Sequence, residues 1–410
     1  MAAWLLSTSV PRPALLALAT VAALVLTAVP AADALPAPRK SEVWTIGPGS
    51  TIAVDGHGYG HGRGMSQYGS EGAARAGLTS AQIMEFYYPG TTPGSAGGQV
   101  KVWITADRDN VLTVVARTGL KVRDLATKQK AVLPDNGSTR WRLTAGSGTR
   151  TVVSFYKKRW VKWRTLQGDA ELAAAGQPIT LVLPSGRVAY RGALASRAPK
   201  PGAPKRVTVN RLPLDSYLKG VVPKETITSW SPAALESQAI AARTYAAFER
   251  AEPASKVFQI CDTTSCQVYG GFTAEYASTN TAIEATAGQV RLDAAGQPAF
   301  TQFSSSNGGF TAAGSQPYLV AREDPYDGWS GNTNSSWTLP LTAGNVERNY
   351  PAIGTLTSIA VDSRDGNGQW GGRALAMTLT GTAGSVQTTG EDFRFRVGLK
   401  SSWFTLRVTG

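Results

Sequence analysis

The sequence is poor in the residues that most often hold metals, with two cysteines and two histidines among 410 residues. Cys261 and Cys266 share one short segment, whereas His57 and His61 lie far from them in sequence. A structural zinc site takes four ligands, so the cysteine pair would need two more. We therefore predict no metal and no cofactor, and favour over a metal site a Cys261–Cys266 disulfide, which an oxidising compartment allows.

Motifs for nucleotide binding and serine hydrolysis are also missing. No register of the one glycine-rich run fits G-x-G-x-x-G, and Gly-Lys followed by Ser or Thr does not occur. Gly64 to Gly69 narrowly misses the nucleophile elbow G-x-S-x-G, in which the strained turn depends on the spacing. These absences argue against a nucleotide-binding protein and against a serine hydrolase.

Acidic residues are outnumbered, since 28 Asp and Glu face 41 Lys and Arg and give a net charge of +13. If the protein is exported, this positive charge suits binding to an anionic envelope polymer or a membrane surface, although nucleic acid also attracts such charge. Residues 156–164 interleave aromatic and basic side chains, which suits stacking on bases or sugar faces. The same pattern fits a solvated strand with snorkelling side chains. We predict no nucleic-acid partner.

A short apolar run, residues 14–29, follows Arg12 near the start of the chain. It is short for a membrane-spanning helix, and Ala32 and Ala34 supply the small residues that a signal peptidase reads. We interpret residues 1–34 as a cleaved secretory signal, with an uncleaved anchor and a buried helix as alternatives. The protein is then expected to be secreted and to meet a membrane only through an uncleaved signal.

Both histidines lie in a glycine-rich run, GHGYGHGRGMSQYG at residues 56–69. So much glycine is unfavourable for helix or strand, because glycine loses the most backbone entropy on ordering. Such a run is justified where the backbone takes positive φ or approaches a ligand closely. We therefore predict a site here, in which the histidines hydrogen bond to a polar ligand or to the surrounding loop in preference to zinc.

The first part of the chain alternates between local signals for strand and helix. A strand at 50–54 leads into the glycine run, and a helix at 65–76 ends at Gly77. A capping box at 79–82 begins a second helix. Short alternating apolar segments then predict strands over 99–190.

The second part contains the strongest helix signal. Ser231 is a candidate N-cap, and residues 233–250 contain no helix breaker. Residues 300–410 return to a pattern of strands and turns, in which 393–397 and 403–408 alternate. The whole order predicts an α+β fold.

Glu225 stands out by position, because it follows an apolar, proline-bearing segment and lies just before Trp230 and the long helix. Desolvation beside aromatic surface raises the pKa of a carboxyl, as a general acid at neutral pH requires. An ordinary surface position is the alternative. On the long helix, Gln238 and Arg243 are candidate donors, since a long cation such as Arg243 has little reason to be buried without a partner.

Five segments resemble the SpoIID/LytB family of peptidoglycan-active proteins. They are GHGRGMSQYG at 60–69, DSYLKGVVPKE at 215–225, LESQAIAARTY at 235–245, CDTTSCQVYG at 261–270 and FSSSNGG at 303–309. The second resembles the YLxGVVPxE segment of that family and the third its AQAxAARTY helix. The matches spread over most of the mature chain, so the resemblance is specific.

The resemblance implies a lytic transglycosylase of the cell wall, because the glutamate matching Glu225 is the catalytic acid in such members. Peptidoglycan glycan strands would be cleaved to 1,6-anhydro-N-acetylmuramic acid ends, with Glu225 as general acid and then general base. The implied substrate-binding residues are His61, Ser66, Gln67, Tyr217, Gln238, Arg243, Gln267, Ser304 and Ser305. Part of the family is named for enhancing an amidase, so a non-catalytic, peptidoglycan-binding partner of an N-acetylmuramoyl-L-alanine amidase is the alternative.

The resemblance also organises the predicted domains. Residues 206–410 are expected to form a mixed, β-rich catalytic domain with a long helix after Glu225, and residues 99–197 a smaller β-rich domain. Residues 35–98, with the glycine run and the helical hairpin, are assigned to the catalytic domain.

Two features depart from the familiar family pattern. Members often carry histidine where Ser265 stands and some bind zinc there, so serine makes zinc doubtful. The glycine run normally follows a segment like 393–404 near the C-terminus, whereas here it lies near the front of the chain. This order resembles a circular permutation, which folds tolerate when chain ends lie close together. We therefore predict that residues 51–55 lie beside residues 403–408.

Overall fold

The computed structural model describes residues 42–251 and 256–410. The predicted signal, residues 1–34, lies outside this part. Within it, no helix combines the length and apolarity that crossing a bilayer requires. Helices are abundant and the strands form several sheets, which is compatible with the predicted α+β fold class.

The α-helices of the described residues are numbered in chain order. They are α1 (Gln67–Arg75), α2 (Ser80–Tyr87), α3 (Leu214–Glu225), α4 (Pro232–Ala251), α5 (Ala277–Ala285), α6 (Ala343–Asn349) and α7 (Gly390–Val397).

The strands are numbered in the same way. They are β1 (Glu42–Thr45), β2 (Thr51–His57), β3 (Met65–Ser66), β4 (Thr92–Ser95), β5 (Gln99–Trp103), β6 (Leu112–Val115), β7 (Lys121–Asp124), β8 (Lys130–Val132), β9 (Arg140–Ala145), β10 (Thr151–Lys157), β11 (Arg159–Leu166), β12 (Ala170–Ala173), β13 (Ile179–Leu183), β14 (Gly186–Tyr190), β15 (Ala193–Arg197), β16 (Val207–Pro213), β17 (Ile260–Cys261), β18 (Gln289–Leu292), β19 (Phe303–Ser304), β20 (Ser336–Leu341), β21 (Leu356–Arg364), β22 (Ala374–Gly381), β23 (Gly384–Thr389) and β24 (Phe404–Thr409).

Two large sheets contribute to the first hydrophobic core. One has the strand order β17-β5-β16-β15-β12-β7-β8 and the other the order β11-β10-β9-β6-β13-β14. Val102 and Leu194 of the first sheet, Leu143 of the second and Leu218 of α3 belong to one cluster of buried side chains. Hydrogen bonds between β5 and β16 cross the expected boundary between the β-rich and catalytic domains. The division into domains stays a prediction.

The second hydrophobic core includes strands from both ends of the described chain, β1 and β2 at one end and β24 at the other. It is built on the sheets β1-β21-β22-β23 and β20-β2-β24. β2 pairs with β24 in antiparallel register, from Thr51 opposite Thr409 to Gly56 opposite Phe404. The predicted neighbourhood of residues 51–55 and 403–408 is therefore confirmed, while the circular permutation that suggested it stays a prediction.

Local signals identified three of the helices. The expected capping box is present at the start of α2, where the Thr79 hydroxyl accepts the Gln82 N–H at 3.3 Å. α1 begins at Gln67, two residues later than expected, and ends before Gly77, whose φ is +90°. α4 begins at Pro232, as expected.

The prediction of a strand at residues 393–397 is wrong, because this segment lies in α7. The Thr389 hydroxyl caps this helix by accepting the Asp392 N–H at 3.0 Å. Phe393 and Val397, four residues apart on one helical face, are buried, whereas Phe395 is 68% exposed. Alternation of Phe and Arg therefore did not reflect alternating burial.

The glycine run passes close to residues 302–308. Positive φ occurs at Gly58, Gly60, Gly62 and Gly64. A Cβ on Gly64 would lie 2.1 Å from the Gln302 carbonyl oxygen, so contact as well as conformation excludes a side chain. Beyond it, β3 pairs in parallel with β19. The glycines thus let two backbone segments meet directly.

We expect Gly64→Ala to lower the free energy of unfolding by about 3 kcal/mol, because positive φ and the approach to Gln302 both penalise a methyl group. Gly90→Ala is the matched control, since Gly90 has a φ of +77° and nothing within 4 Å of a Cβ. Its expected loss is about 1 kcal/mol. Denaturant unfolding compares the two, and equal losses would contradict a role for the close approach.

Candidate functional site

Glu225 is the last residue of α3 and is held by two hydrogen bonds. Its Oε1 accepts the Val268 N–H at 2.7 Å, and the Gln67 side chain also hydrogen bonds to the carboxylate. Burial raises the pKa of Glu225, while these two hydrogen bonds oppose the rise. The net effect is a raised pKa, so the carboxyl keeps its proton to higher pH than an exposed glutamate. This is the property of a general acid.

The Glu225 side chain lines a cavity of about 220 Å³. The lining comes from the glycine run, α3, α4, the cysteine loop and the segment before β19, and consists of His61, Glu225, Tyr245, Thr264, Ser265, Cys266, Gln302 and Phe303. Among these described residues, Glu225 supplies the only carboxylate. The cavity therefore combines one titratable acid with neutral donors and acceptors.

His61 presents a neutral imidazole to this cavity. Its Nδ1 accepts the Arg63 N–H at 3.0 Å, and burial, followed by the nearby Arg63 charge, lowers the pKa of His61 to about 4. Because Nδ1 is an acceptor, the neutral ring carries its proton on Nε2. His61 also lines a second cavity of about 470 Å³, together with Arg63 and Arg373. The His61 imidazole is thus shared by the two cavities.

His57, the other histidine of the run, is held by the protein. Its Nδ1 lies 3.0 Å from the Ser335 carbonyl oxygen and its Nε2 lies 2.7 Å from the Gln369 Oε1. The ring also packs against Trp370 and Trp403, with centroid distances of 4.9 and 4.8 Å. These contacts fix the start of the glycine run.

The cysteine loop positions one of the two donors to Glu225. Cys261 and Cys266 form a disulfide with a Cα–Cα distance of 5.5 Å. Within the loop, Asp262 accepts the Thr105 N–H and hydroxyl, the latter at 2.7 Å. The loop is therefore attached to the end of β5, and Val268 follows it directly.

Arg243 lies fully buried and does not line the cavity. Its Nε donates to the Asp215 carboxylate at 2.7 Å, and other guanidinium nitrogens donate to the carbonyl oxygens of Ile283 and Gln289. The side chain thus joins α4 to α3, α5 and β18. Its predicted contact with substrate stays a prediction.

Tyr217, Gln238 and Gln267 are also buried. The Tyr217 hydroxyl donates to the Gln267 Oε1 at 3.2 Å, and the Gln267 Nε2 donates to the Ala242 carbonyl oxygen at 3.2 Å. The Gln238 amide has no hydrogen-bond partner within the described residues. None of these three lines the cavity around Glu225, so their predicted substrate contacts also stay predictions.

The predicted serines mainly connect the glycine run to the segment after β19. The Ser66 hydroxyl caps α1 by accepting the Gly69 N–H at 2.9 Å and donates to Asp327. The Ser304 hydroxyl accepts the Gly62 N–H at 3.2 Å. Ser305 contributes its carbonyl oxygen, which accepts the Tyr68 N–H at 3.0 Å. Of the predicted substrate-binding set, His61 lines the cavity and Gln67 reaches Glu225.

Sequence reasoning missed two buried carboxylates, Asp324 and Asp327. Asp327 accepts from the hydroxyls of Ser66 and Ser306 at 2.5 and 2.7 Å and from the Gly308 N–H at 2.9 Å. Asp324 accepts from the Tyr87 hydroxyl at 2.7 Å. Their segment, residues 323–328, reads EDPYDG and is typical of an exposed turn, so no local signal separated them from surface residues.

Comparison with known proteins finds similarity in the segment that carries Glu225. Residues 204–292, which contain Glu225 and the cysteine loop, match the family model for SpoIID, the stage II sporulation protein. The comparisons support the resemblance to the SpoIID/LytB family that the sequence motifs indicated. No solved structure matches the chain.

Three curated relatives match parts of the chain. The amidase enhancer of Bacillus subtilis is 40% identical over 136 residues, which is 32% of this chain and 17% of the relative. An uncharacterized protein of Brachyspira hyodysenteriae is 35% identical over 116 residues, or 28% of this chain and 31% of the relative. Stage II sporulation protein D of Bacillus subtilis is 51% identical over 43 residues, or 10% and 12%. The chain thus spans less than a third of each relative.

Burial, together with the neighbouring Asp327 charge, raises the pKa of Asp324 from 3.8 to about 6. The folded state then binds this proton more tightly than the unfolded state, so the free energy of unfolding falls as pH rises from about 4 to about 6. We expect Asp324→Asn to remove about 3 kcal/mol of this fall. Denaturant unfolding across this pH range measures it. The exposed Glu323→Gln is the control, and an unchanged slope in Asp324→Asn would contradict the assignment.

Proposed function

We propose that the protein is a secreted lytic transglycosylase that cleaves peptidoglycan glycan strands in the cell wall. The observation that carries this proposal is Glu225, a carboxyl with a raised pKa in a cavity that contains no other carboxylate among its described lining residues. A hydrolytic glycosidase normally needs two carboxyl groups, one as acid and one as nucleophile or base. A transglycosylase can use one, because the substrate supplies its own nucleophile.

In the proposed reaction, Glu225 first donates its proton to the glycosidic oxygen, and the bond from this oxygen to the anomeric carbon of N-acetylmuramic acid breaks. The C6 oxygen of the same sugar then bonds to the anomeric carbon. The ionised Glu225 takes the C6 hydroxyl proton, which restores the acid and leaves a 1,6-anhydro end. The Val268 N–H stabilises the intermediate carboxylate.

The shape of the site favours a polymer over a small sugar. His61 lines both cavities, of about 220 and 470 Å³, so sugar rings in either cavity can contact the imidazole. The His61 Nε2–H and the Ser265 hydroxyl are donors suited to sugar hydroxyl or acetamido oxygens. His61 would then orient the strand while Glu225 performs the proton transfers.

The second candidate function is a non-catalytic enhancer of a cell-wall amidase. The observation that favours it is the similarity to a relative that is named an amidase enhancer. In that case the same cavities would bind glycan, and the partner would be an N-acetylmuramoyl-L-alanine amidase.

We expect the mature protein to release fragments with 1,6-anhydro ends from purified glycan strands, and Glu225→Gln to lower this rate at least about 10³-fold, because the amide cannot donate the proton. Mass spectrometry of the products measures both. Glu236→Gln, which removes a carboxylate at another position, is the control. Products with reducing ends, or full activity in Glu225→Gln, would contradict the proposed chemistry.

The enhancer function gives a different result in the same assay. The isolated protein would release no sugar fragments, yet would increase peptide release by an added amidase. Glu225→Gln would leave that increase unchanged.

The hydrogen bond from Gln67 favours the ionised form of Glu225, so Gln67→Met should raise the pKa of Glu225 further. Because cleavage begins with protonated Glu225, the alkaline limb of kcat/KM should move to higher pH. Gln302→Met, in the same cavity, is the matched control and should leave this limb in place. A shift to lower pH in Gln67→Met would contradict the assigned role of Glu225.

A further inference from the structure

The outer face of the seven-stranded sheet holds an unusual concentration of positive charge. Lys101 lies opposite Arg211 in the pairing of β5 with β16, and Glu171 lies opposite Arg123 in the pairing of β12 with β7. Residues opposite each other share one face of a sheet. The other face, which carries Val102, belongs to the first hydrophobic core. The charged side chains are therefore directed away from the core.

These side chains surround a pocket of about 240 Å³. The pocket is lined by Lys101, Arg123, Leu125, Lys128, Glu171, Ala195, Arg197, Val209 and Arg211. Ala195 and Val209 lie opposite each other at its floor. Because both are small and apolar, they leave a concave space between longer basic side chains. It contains none of the residues that line the cavity around Glu225.

Positive charge exceeds negative charge around this pocket. Glu171 is bound by Arg211 at 2.8 Å and Arg123 at 3.4 Å, and Arg197 pairs with Asp169 at 3.0 Å. Among the described residues, the Lys101 backbone N–H donates to the Gln259 side chain, whereas its ammonium group has no hydrogen bond or ion pair. Lys128 donates only to a backbone carbonyl oxygen there, that of Leu125. Like charges held together are unfavourable unless an anion is added.

An apolar shelf continues the pocket along the same face. Trp103 lies opposite Val209 in the sheet, and its ring stacks on Phe258 with centroids 5.1 Å apart. Lys256 lies over the Phe258 ring at 5.5 Å. Aromatic surface flanked by cations suits the carbon atoms of a sugar or polyol beside an oxyanion.

We propose that this pocket binds an oxyanion of an anionic cell-wall polymer and so holds the protein on the wall at a second site. The oxyanion enters between Lys101 and Lys128, whose ammonium groups supply charge-assisted hydrogen bonds, and the adjacent carbon atoms lie on the Trp103 shelf. The inference rests on the proposed cell-wall function. Two sources carry this chemistry: the phosphodiesters of a wall polymer and the carboxylates of peptidoglycan.

The test is cosedimentation of the mature chain with insoluble cell walls. All proteins carry Glu225→Gln, so that no wall is cleaved during the measurement. One wall preparation retains its phosphodiester polymers and the other is stripped of them. The first pocket variant is Lys101→Glu with Lys128→Glu, which leaves the Glu171 and Asp169 ion pairs in place. The second is Ala195→Leu, which fills the pocket without changing its charge.

We expect both pocket variants to bind walls about tenfold more weakly, because each removes the oxyanion contacts. The control is Arg187→Glu with Arg348→Glu, exposed positions on β14 and α6, which changes the net charge equally and should lose less than about twofold. A loss confined to walls that retain phosphodiesters identifies phosphate as the ligand. A loss on both preparations identifies the peptidoglycan carboxylates.

Equal losses in the pocket and control variants would overturn the proposal, since net charge alone would then explain binding. So would a pocket variant that binds walls normally but loses affinity for a DNA duplex of 20 base pairs. Thermal unfolding verifies that each variant is folded. Cleavage of soluble glycan, measured with Glu225 restored, is expected to be unchanged in the pocket variants. If no protein cleaves glycan but the pocket variants still lose wall binding, the proposed enzyme function fails and this inference stands.

Discussion

The candidate site depends on the buried carboxylate of Asp327. The Ser66 and Ser306 hydroxyls and the Gly308 N–H all donate to it. A buried carboxylate without donors is strongly unfavourable, so these three groups have little freedom to move. They come from the glycine run and from the segment after β19, and the shared acceptor therefore fixes the distance between the two. His61, which lines the cavity, belongs to the glycine run that this contact holds.

The acidity of Glu225 is likewise a property of the assembled fold. Burial raises its pKa, and donors from Gln67 and Val268 limit the rise. One donor lies on α1 and the other follows the cysteine loop, so neither is local to α3. Ordering of the loop and of the glycine run thus sets the environment of the Glu225 carboxyl as well as contributing to stability. The surroundings of the Glu225 carboxyl, at the end of α3, are complete only when both segments are in place.

Sequence reasoning identified what is local and missed what depends on distant partners. The capping box of α2 was recognised because its side chains bond within one turn, and the end of α1 was recognised from Gly77. The segment 393–397 was misassigned, since alternating Phe and Arg satisfies a strand pattern as well as the exposed and buried faces of α7. The family motif indicated Arg243 as a substrate-binding residue. A motif alone does not distinguish a guanidinium that joins helices from one that faces a cavity. The sequence around Asp327 did not indicate a buried carboxylate, because the groups that donate hydrogen bonds to it lie elsewhere in the chain.

The pairing of β2 with β24 has a consequence for the order of folding. Thr51 and Thr409 are 358 positions apart, so their contact closes a very long loop, and its entropy is recovered only after both strands are present. β2 leads directly into the glycine run, which carries His61. This wall of the cavity is thus completed only after both strands are in place. Because synthesis begins at the N-terminus, β2 is made long before β24, and the pairing that supports this wall of the cavity has to wait for residues 404–409.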